Sequence, residues 1–182
     1  SECNIPLDGC WRVDHSELAW FDGSTVGVSI NALKGVDFEH FVFDASADAI
    51  AALQAHAKKY NIAFVNFGVV GIPNNEAEAR KYFEFAKTLG LYGITTESLD
   101  ALDVLEKLSK EFDLKVCFHN HPKPSALWNP DTISKAIEGR HENIGFCADL
   151  GHWATSGLNP LDVIKKIAPR VRSFHMKDRA SI

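Results

Sequence analysis

Apolar positions along the chain switch between two periods. Short runs rich in β-branched and aromatic residues read as strands over Thr25–Ile30, Ala63–Val69, Leu91–Glu97, Lys115–His121, Ile144–Asp149 and Val171–Lys177. Between them, apolar residues recur three and four apart, the spacing of one helix face. This predicts helices over Phe38–Asp44, Asp48–Tyr60, Asn75–Leu89, Leu99–Phe112, Pro130–Glu138 and Pro160–Ile167. In Leu99–Phe112, Leu102, Leu105, Leu108 and Phe112 fall in register. Asn129-Pro130 and Asn159-Pro160 each combine a capping side chain with a proline at the first helical position, and Gly90 marks a stop. Strand and helix alternate every 25–30 residues or so, the mark of consecutive βαβ units around a parallel sheet. Residues 1–24 show no clear period and are expected to form an irregular N-terminal segment, with residues 25–182 forming the domain.

The two faces of the later strands differ in kind. Leu91–Glu97 carries Tyr92 and Ile94 on one parity, and Gly93, Thr95 and Glu97 on the other. Lys115–His121 separates Val116 and Phe118 from Cys117, His119 and His121. Ile144–Asp149 separates Ile144, Phe146 and Ala148 from Gly145, Cys147 and Asp149. Val171–Lys177 separates Phe174 and Met176 from Ser173, His175 and Lys177. Each time a bulky apolar set parts from a set that begins small and ends ionisable. Catalytic groups of α/β barrels come from the C-terminal strand ends. Glu97, His119, His121, Asp149, His175 and Lys177 would therefore meet at one rim, and His152 follows Asp149 by three residues. Mixed carboxylate and imidazole donors suit zinc, manganese, cobalt or iron. For single residues other readings stand beside this one. Asp149 and Glu97 could cap the helices that follow them. His175 could be a core histidine and Lys177 a surface charge. Trp128 and Trp153 could wall a sugar ring or simply pack, and Arg140-His141-Glu142 reads as a solvated charge cluster.

Composition narrows the function classes. With 19 basic against 24 acidic residues the formal charge is −5, and no Lys/Arg block forms a nucleic-acid footprint. No apolar run approaches the roughly 20 residues of a membrane-spanning helix. A soluble protein is expected, cytoplasmic or exported. Cys117 and Cys147 lie in apolar runs and are expected to be buried free thiols; Cys3 and Cys10 could pair in an oxidising compartment. The absence of Cys-x-x-Cys argues against a thiolate zinc site. No Gly-x-Gly-x-x-Gly follows the first strand and there is no P-loop, which weakens nucleotide-binding α/β folds. The length of 182 residues lies below the roughly 250 of a typical closed eight-fold barrel.

Three segments carry a resemblance: Phe118-His119-Asn120-His121-Pro122-Lys123-Pro124-Ser125, Cys147-Ala148-Asp149-Leu150-Gly151-His152-Trp153 and Phe174-His175-Met176-Lys177-Asp178. In this order and spacing they resemble the xylose isomerase-like TIM barrels of the sugar phosphate isomerase/epimerase superfamily. The resemblance covers residues 60–180. It implies an α/β fold with a (β/α) TIM-barrel-type parallel sheet. The strands read above make that barrel incomplete, with about six to seven strands: a second strand is missing between Asp44 and Asp48, and the last strand is absent. It also implies a divalent metal (Mn, Zn, Co or Mg) held by Glu, Asp, His and Glu at the strand ends. Asp149 and His175 match the second and third ligands. For the first, either Glu97 substitutes from the preceding strand or His119 itself binds, and the last-strand Glu has no counterpart. The ligand set expected from this resemblance is Glu97, Asp149 and His175, with His119, His121, His152 and Lys177 around the substrate.

The implied activity is a metal-dependent sugar isomerase or epimerase. A metal chelating a sugar carbonyl and its neighbouring hydroxyl polarises the carbonyl and stabilises the enediolate left when the α proton departs. A carboxylate or imidazole shuttles that proton. A keto-sugar lyase or hydratase uses the same chemistry. An abasic-site endonuclease shares the fold, but a charge of −5 speaks against it. An inactive incomplete barrel is the non-enzyme alternative. The expected partner is a small sugar, not nucleic acid or membrane, with a homo-oligomer covering the open sheet edges.

Overall fold

Strands whose bulky residues all fall on one parity must bury that face, and here helices cover it. The computed structural model describes residues 4–7, 9–13, 18–21, 26–29, 33–34, 47–59 and 62–177. In chain order these form β1 (Asn4–Leu7), β2 (Gly9–Val13), β3 (Leu18–Phe21), β4 (Val26–Ser29), β5 (Leu33–Lys34), α1 (Ala47–Lys59), β6 (Ile62–Val70), α2 (Glu76–Thr88) and β7 (Gly93–Thr96). There follow α3 (Leu102–Phe112), β8 (Lys115–His119), α4 (Pro130–Ala136), β9 (Ile144–Asp149), α5 (Leu150–Thr155), α6 (Pro160–Ile167) and β10 (Val171–His175).

The main sheet runs β10-β9-β8-β7-β6-β4-β3. Its pairings from β4 to β10 are all parallel, and β3 is antiparallel at the edge. The sheet curls enough to bring Cα atoms of the two edge strands, β3 and β10, within 8 Å of one another. The described pairings leave it an open, incomplete α/β barrel of the TIM type. β4 pairs directly with β6, so no strand intervenes in the sheet where a second barrel strand was missing from the sequence. The helix expected over Phe38–Asp44 lies outside the described residues, as do the side chains of Cys3 and Cys10. No described helix is long and apolar enough to cross a membrane.

The pattern succeeds within the strand–helix alternation and fails outside it. α6 matches its expected bounds, and β9 does too. Residues 1–24 hold β1, β2 and β3, which the sequence did not show; they pair antiparallel ahead of the alternation. α5 was missed too, since it follows β9 without a break and precedes a second helix. Leu99–Ala101 is a 3-10 turn ahead of α3.

The outward faces of the parallel strands build the core. Phe67, Ile94, Val116, Phe118, Ile144, Phe146 and Ala148 are all buried, as are Ala79, Phe83 and Ala86 of α2 and Leu102, Leu105 and Leu108 of α3. Each large apolar side chain buried in this way contributes about 1.5–3 kcal/mol. Phe67 meets Phe85 edge-on at 5.3 Å between ring centroids, and Phe83 meets Phe112 at 5.8 Å. The opposite faces are small and polar: Asn66, Thr95, Cys117, Cys147 and Ser173, all buried. Cys117 and Cys147 are free. Burial pushes the Cys117 thiol up to about 12, which leaves it unreactive.

Two features close the N-terminal end of the sheet. The Arg170 guanidinium donates to the backbone carbonyls of Ile137, Arg140, His141 and Ile144. Gly145 lies against this turn, and a Cβ there would stand 2.1 Å from the Arg170 carbonyl oxygen. The segment Arg140-His141-Glu142 is more than a solvated cluster. Arg140 Nη1 donates to Glu106 Oε2 at 2.9 Å and also pairs with Asp103, while the His141 N–H donates to Glu106 Oε1 at 2.9 Å. These contacts tie α3 to the loop ahead of β9.

Gly145→Ala is expected to destabilise the fold by about 1–3 kcal/mol, because the methyl group must displace backbone; a urea midpoint unchanged from wild type would refute this packing. Arg140, then the His141 N–H and Lys110, hold the Glu106 carboxyl down at about 2 against an ordinary 4.5. Its folded value lies below its unfolded one, so the stabilisation is complete above the unfolded value and is lost as pH falls from about 4.5 to about 2. Glu106→Gln should therefore flatten the fall in stability across that window, measured by denaturant unfolding at a series of pH values.

Candidate functional site

Sheet register decides which strand ends meet. His119 on β8 pairs with Cys147 on β9, and Asp149, two residues further, pairs with His175 on β10. His119, Asp149 and His175 therefore share the inner face at the C-terminal ends of three adjacent strands. Glu97 follows β7, His121 follows β8 and Lys177 follows β10. His152 rises from the first turn of α5.

Asp149 is the centre of the cluster and is 0% exposed. Its two oxygens divide the work. Oδ1 accepts the His152 backbone N–H at 2.9 Å and caps α5. Oδ2 accepts from Lys177 Nζ at 2.7 Å and lies 3.4 Å from both His119 Nε2 and His152 Nε2, and 3.7 Å from His175 Nδ1. The capping and the functional readings of Asp149 are thus both satisfied by one carboxylate. Its backbone is clamped as well: the Asp149 N–H donates to Asn120 Oδ1 at 2.8 Å, and Asn120 Nδ2 donates to the Asp149 carbonyl at 3.0 Å.

Glu97 does not cap the helix that follows it. His119 Nδ1 donates to its Oε1 at 2.9 Å, and His121 Nδ1 reaches Oε1 at 2.8 Å and Oε2 at 3.0 Å. The rings of His119 and His121 meet edge-on at 4.9 Å, and His119 lies 4.8 Å from His175 and 5.5 Å from His152. All seven residues singled out from the sequence fall in this one cluster. Lys177 is not a solvated charge: it also donates to His152 Nε2 at 3.2 Å.

The charges are set by these contacts. Burial works to raise the Asp149 pKa, but the contacts with His119, His175, Lys177 and the His152 N–H outweigh it and hold the carboxyl well below the usual carboxylate range. Burial opposes the charge of His119 too, yet Asp149 and Glu97 draw its pKa upward. Glu97 is lowered by His119 and His121 against its own partial burial. His152 is pushed down to about 4, by burial first and then by the Lys177 charge, over the opposing pull of Asp149.

Possible metal donors fall into two overlapping groups among the described residues. One is His119, Asp149 and His175, all buried; the other is Glu97, His119 and His121. In each group the donor atoms lie within 4.8 Å of one another, and His119 belongs to both. Glu97, Asp149 and His175 do not by themselves form one such group.

Known proteins share this arrangement of strands. A D-tagatose 3-epimerase-like protein matches with a TM-score of 0.62 at 15% identity, over 77% of this chain and 64% of that one. The IolI protein, solved with a bound zinc atom, matches at 0.57 and 13% identity over 81% of this chain and 60% of its own. An uncharacterized protein from Parabacteroides distasonis matches at 0.60 with 35% identity, over 71% of this chain and 52% of that one. In sequence, the inosose dehydratase of Clostridium beijerinckii is 30% identical over 80 residues, which are 43% of this chain and 26% of that protein. The chain has the fold of these proteins, and it shares that fold with a xylose isomerase domain protein from Planctomyces limnophilus, at a TM-score of 0.57 and 17% identity over 81% of this chain and 71% of that one. No family model matches it. Its matched part spans about a quarter of the length of the curated relatives.

Several residues were legible only in part. Trp153 is fully buried and packs in the core, so it is not a wall for a ligand. Trp128 stands on the loop after β8 with Lys123 Nζ 4.1 Å from its ring centroid. Asn120, between His119 and His121, ties the Asp149 peptide. Replacing it by Leu removes the side-chain partner of the buried Asp149 N–H, at a cost of about 1–3 kcal/mol. Asn120→Leu is expected to lower unfolding free energy by that order, and a stability equal to wild type would show that the clamp contributes nothing.

Proposed function

We propose that this site performs divalent-metal-dependent proton transfer next to the carbonyl of a sugar or keto-sugar, as an isomerase or epimerase. The observation that carries the reading is the convergence of His119, Asp149 and His175 on one buried point at the C-terminal rim. The donor set fits a divalent cation of borderline character: imidazole nitrogens with a carboxylate, and no thiolate among the grouped donors. Lys177 Nζ resting on Asp149 Oδ2 marks that oxygen as one aimed at positive charge. Asp149 and His175 would hold the cation, with a further donor from the Glu97–His119 pair. When bound, such a cation supplies Lewis-acid polarisation of the substrate carbonyl.

The chain's own groups do the rest. The Lys177 ammonium would place a fixed positive charge beside a substrate oxygen as negative charge develops there. His121 is 47% exposed and is the imidazole most open to a ligand, so it would exchange the proton. His152 borders the same space. The Asn120 clamp keeps the Asp149 carboxylate in place while these steps occur.

A second reading is favoured by the curated relatives, which are inosose dehydratases. In it the same α-proton loss is followed by departure of a β-hydroxyl as water. Solvent-deuterium exchange into ketoses and inososes, followed by mass spectrometry with added Mn, Zn or Co, separates the two. Exchange with unchanged product composition supports the isomerase, and loss of one water supports the dehydratase. Asp149→Asn should lose stoichiometric metal, and Lys177→Met should keep it while lowering kcat by about 100–1000-fold. Wild-type protein that neither binds a divalent metal nor exchanges substrate protons would overturn both readings.

A further inference from the structure

We infer that Glu97 is a positioning residue and not a metal ligand: by accepting from the Nδ1–H of two imidazoles it makes His119 the third donor beside Asp149 and His175, and leaves His121 Nε2 free to accept from a ligand. The inference deepens the metal reading above and rests on it for the identity of the site.

Both oxygens of Glu97 are already engaged. Oε1 lies 2.9 Å from His119 Nδ1 and 2.8 Å from His121 Nδ1, and Oε2 lies 3.0 Å from His121 Nδ1. Among the described residues Glu97 groups only with those two imidazoles, while Asp149 and His175 group with His119. His119 is the single member common to both. Its ring has nitrogens on two edges, and the contact with Glu97 uses one of them. With a proton held on Nδ1, a metal that replaces the proton on Nε2 meets the lone pair of that nitrogen. That nitrogen is the one 3.4 Å from Asp149 Oδ2, on the side where His175 also stands. The hydrogen bond that removes Glu97 from the ligand group is thus the one that turns His119 into it.

This is a general way to tune a metal-ligating histidine. An outer carboxylate holding the far N–H fixes the tautomer and ring orientation, and raises donor strength. Here the carboxylate serves two rings at once. His119 is 2% exposed and has no access to bulk solvent, whereas His121 is nearly half exposed. The same tautomer therefore has different consequences: a buried Nε2 for a metal, and an accessible Nε2 for a substrate hydroxyl or proton. The reach of Glu97 also explains why a carboxylate at the end of β7 sits with the donors of β8 without joining those of β9 and β10.

The test has a metal-free arm and a metal arm. Long-range proton–nitrogen NMR on the metal-free chain should show Nδ1 of both His119 and His121 protonated, and Glu97→Gln should lower that occupancy; an unprotonated Nδ1 on either ring in wild type would overturn the proposal. Isothermal titration with Zn²⁺ should give one site in wild type, the same stoichiometry with about 10–100-fold weaker affinity in Glu97→Gln, and loss of the site in His119→Ala. Absorption of the Co²⁺-loaded Glu97→Gln protein should keep the wild-type ligand-field bands. Loss of stoichiometric binding in Glu97→Gln to the extent seen in Asp149→Ala, or wild-type affinity in His119→Ala, would overturn it. If wild type binds no divalent metal, the proposed function fails, and the tautomer measurement still decides the role of Glu97, since it needs neither metal nor a variant.

Discussion

A carboxylate with no exposure to water is tolerated only where other groups replace that water. Asp149 meets this condition with a backbone N–H on one oxygen, and an ammonium and imidazoles around the other. Those groups come from β8, α5, β10 and the residues after β10. The burial of one charge therefore requires that three strand ends and one helix start arrive in the same place. Asn120 adds a demand on the backbone, since the Asp149 peptide is bonded on both its N–H and its C=O. The rim of this barrel is organised around satisfying that single side chain.

The rest of the fold makes the meeting possible. Large apolar side chains on one parity pull α2, α3, α4 and α6 against the sheet. The other parity carries small and polar residues, so the inner faces stay polar. Gly145 at the bottom of β9 and Asp149 at its top belong to the same inner set: one must be small where the chain of β10 begins, the other ionisable where it ends. Exposed pairs such as Lys107 with Glu76 add little to this, since ion pairs in water contribute at most about 1 kcal/mol.

Much of this was legible residue by residue. The four-fold repetition of small-then-ionisable parity located the rim, and Asn129-Pro130 and Asn159-Pro160 located two helix starts that the structure retains. Elements outside the strand–helix alternation were not legible: β1, β2 and β3 pair antiparallel ahead of it, and α5 follows β9 without a break. The partners of Arg140 were not legible, because Asp103 and Glu106 lie more than thirty positions away. Phe174 and Met176 followed the apolar parity of β10 yet remain exposed, at 36% and 61%, since no described element covers the outer face of that edge strand.

The sequence by itself determined which side chains could meet. The two-residue repeat of a strand assigns each residue to a face, and the alternation of strand and helix makes the sheet parallel, so ionisable residues at successive strand ends share one rim. It also determined the chemistry on offer, imidazole and carboxylate without thiolate at the rim. Only the tertiary structure decided how those groups divide their roles. Whether Asp149 caps a helix or faces the imidazoles, and whether Glu97 reaches the ligand group or stops at His119, depends on strand register and on differences of about an ångström. Local periodicity carries no information at that scale, because register is set by packing between strands distant in the chain.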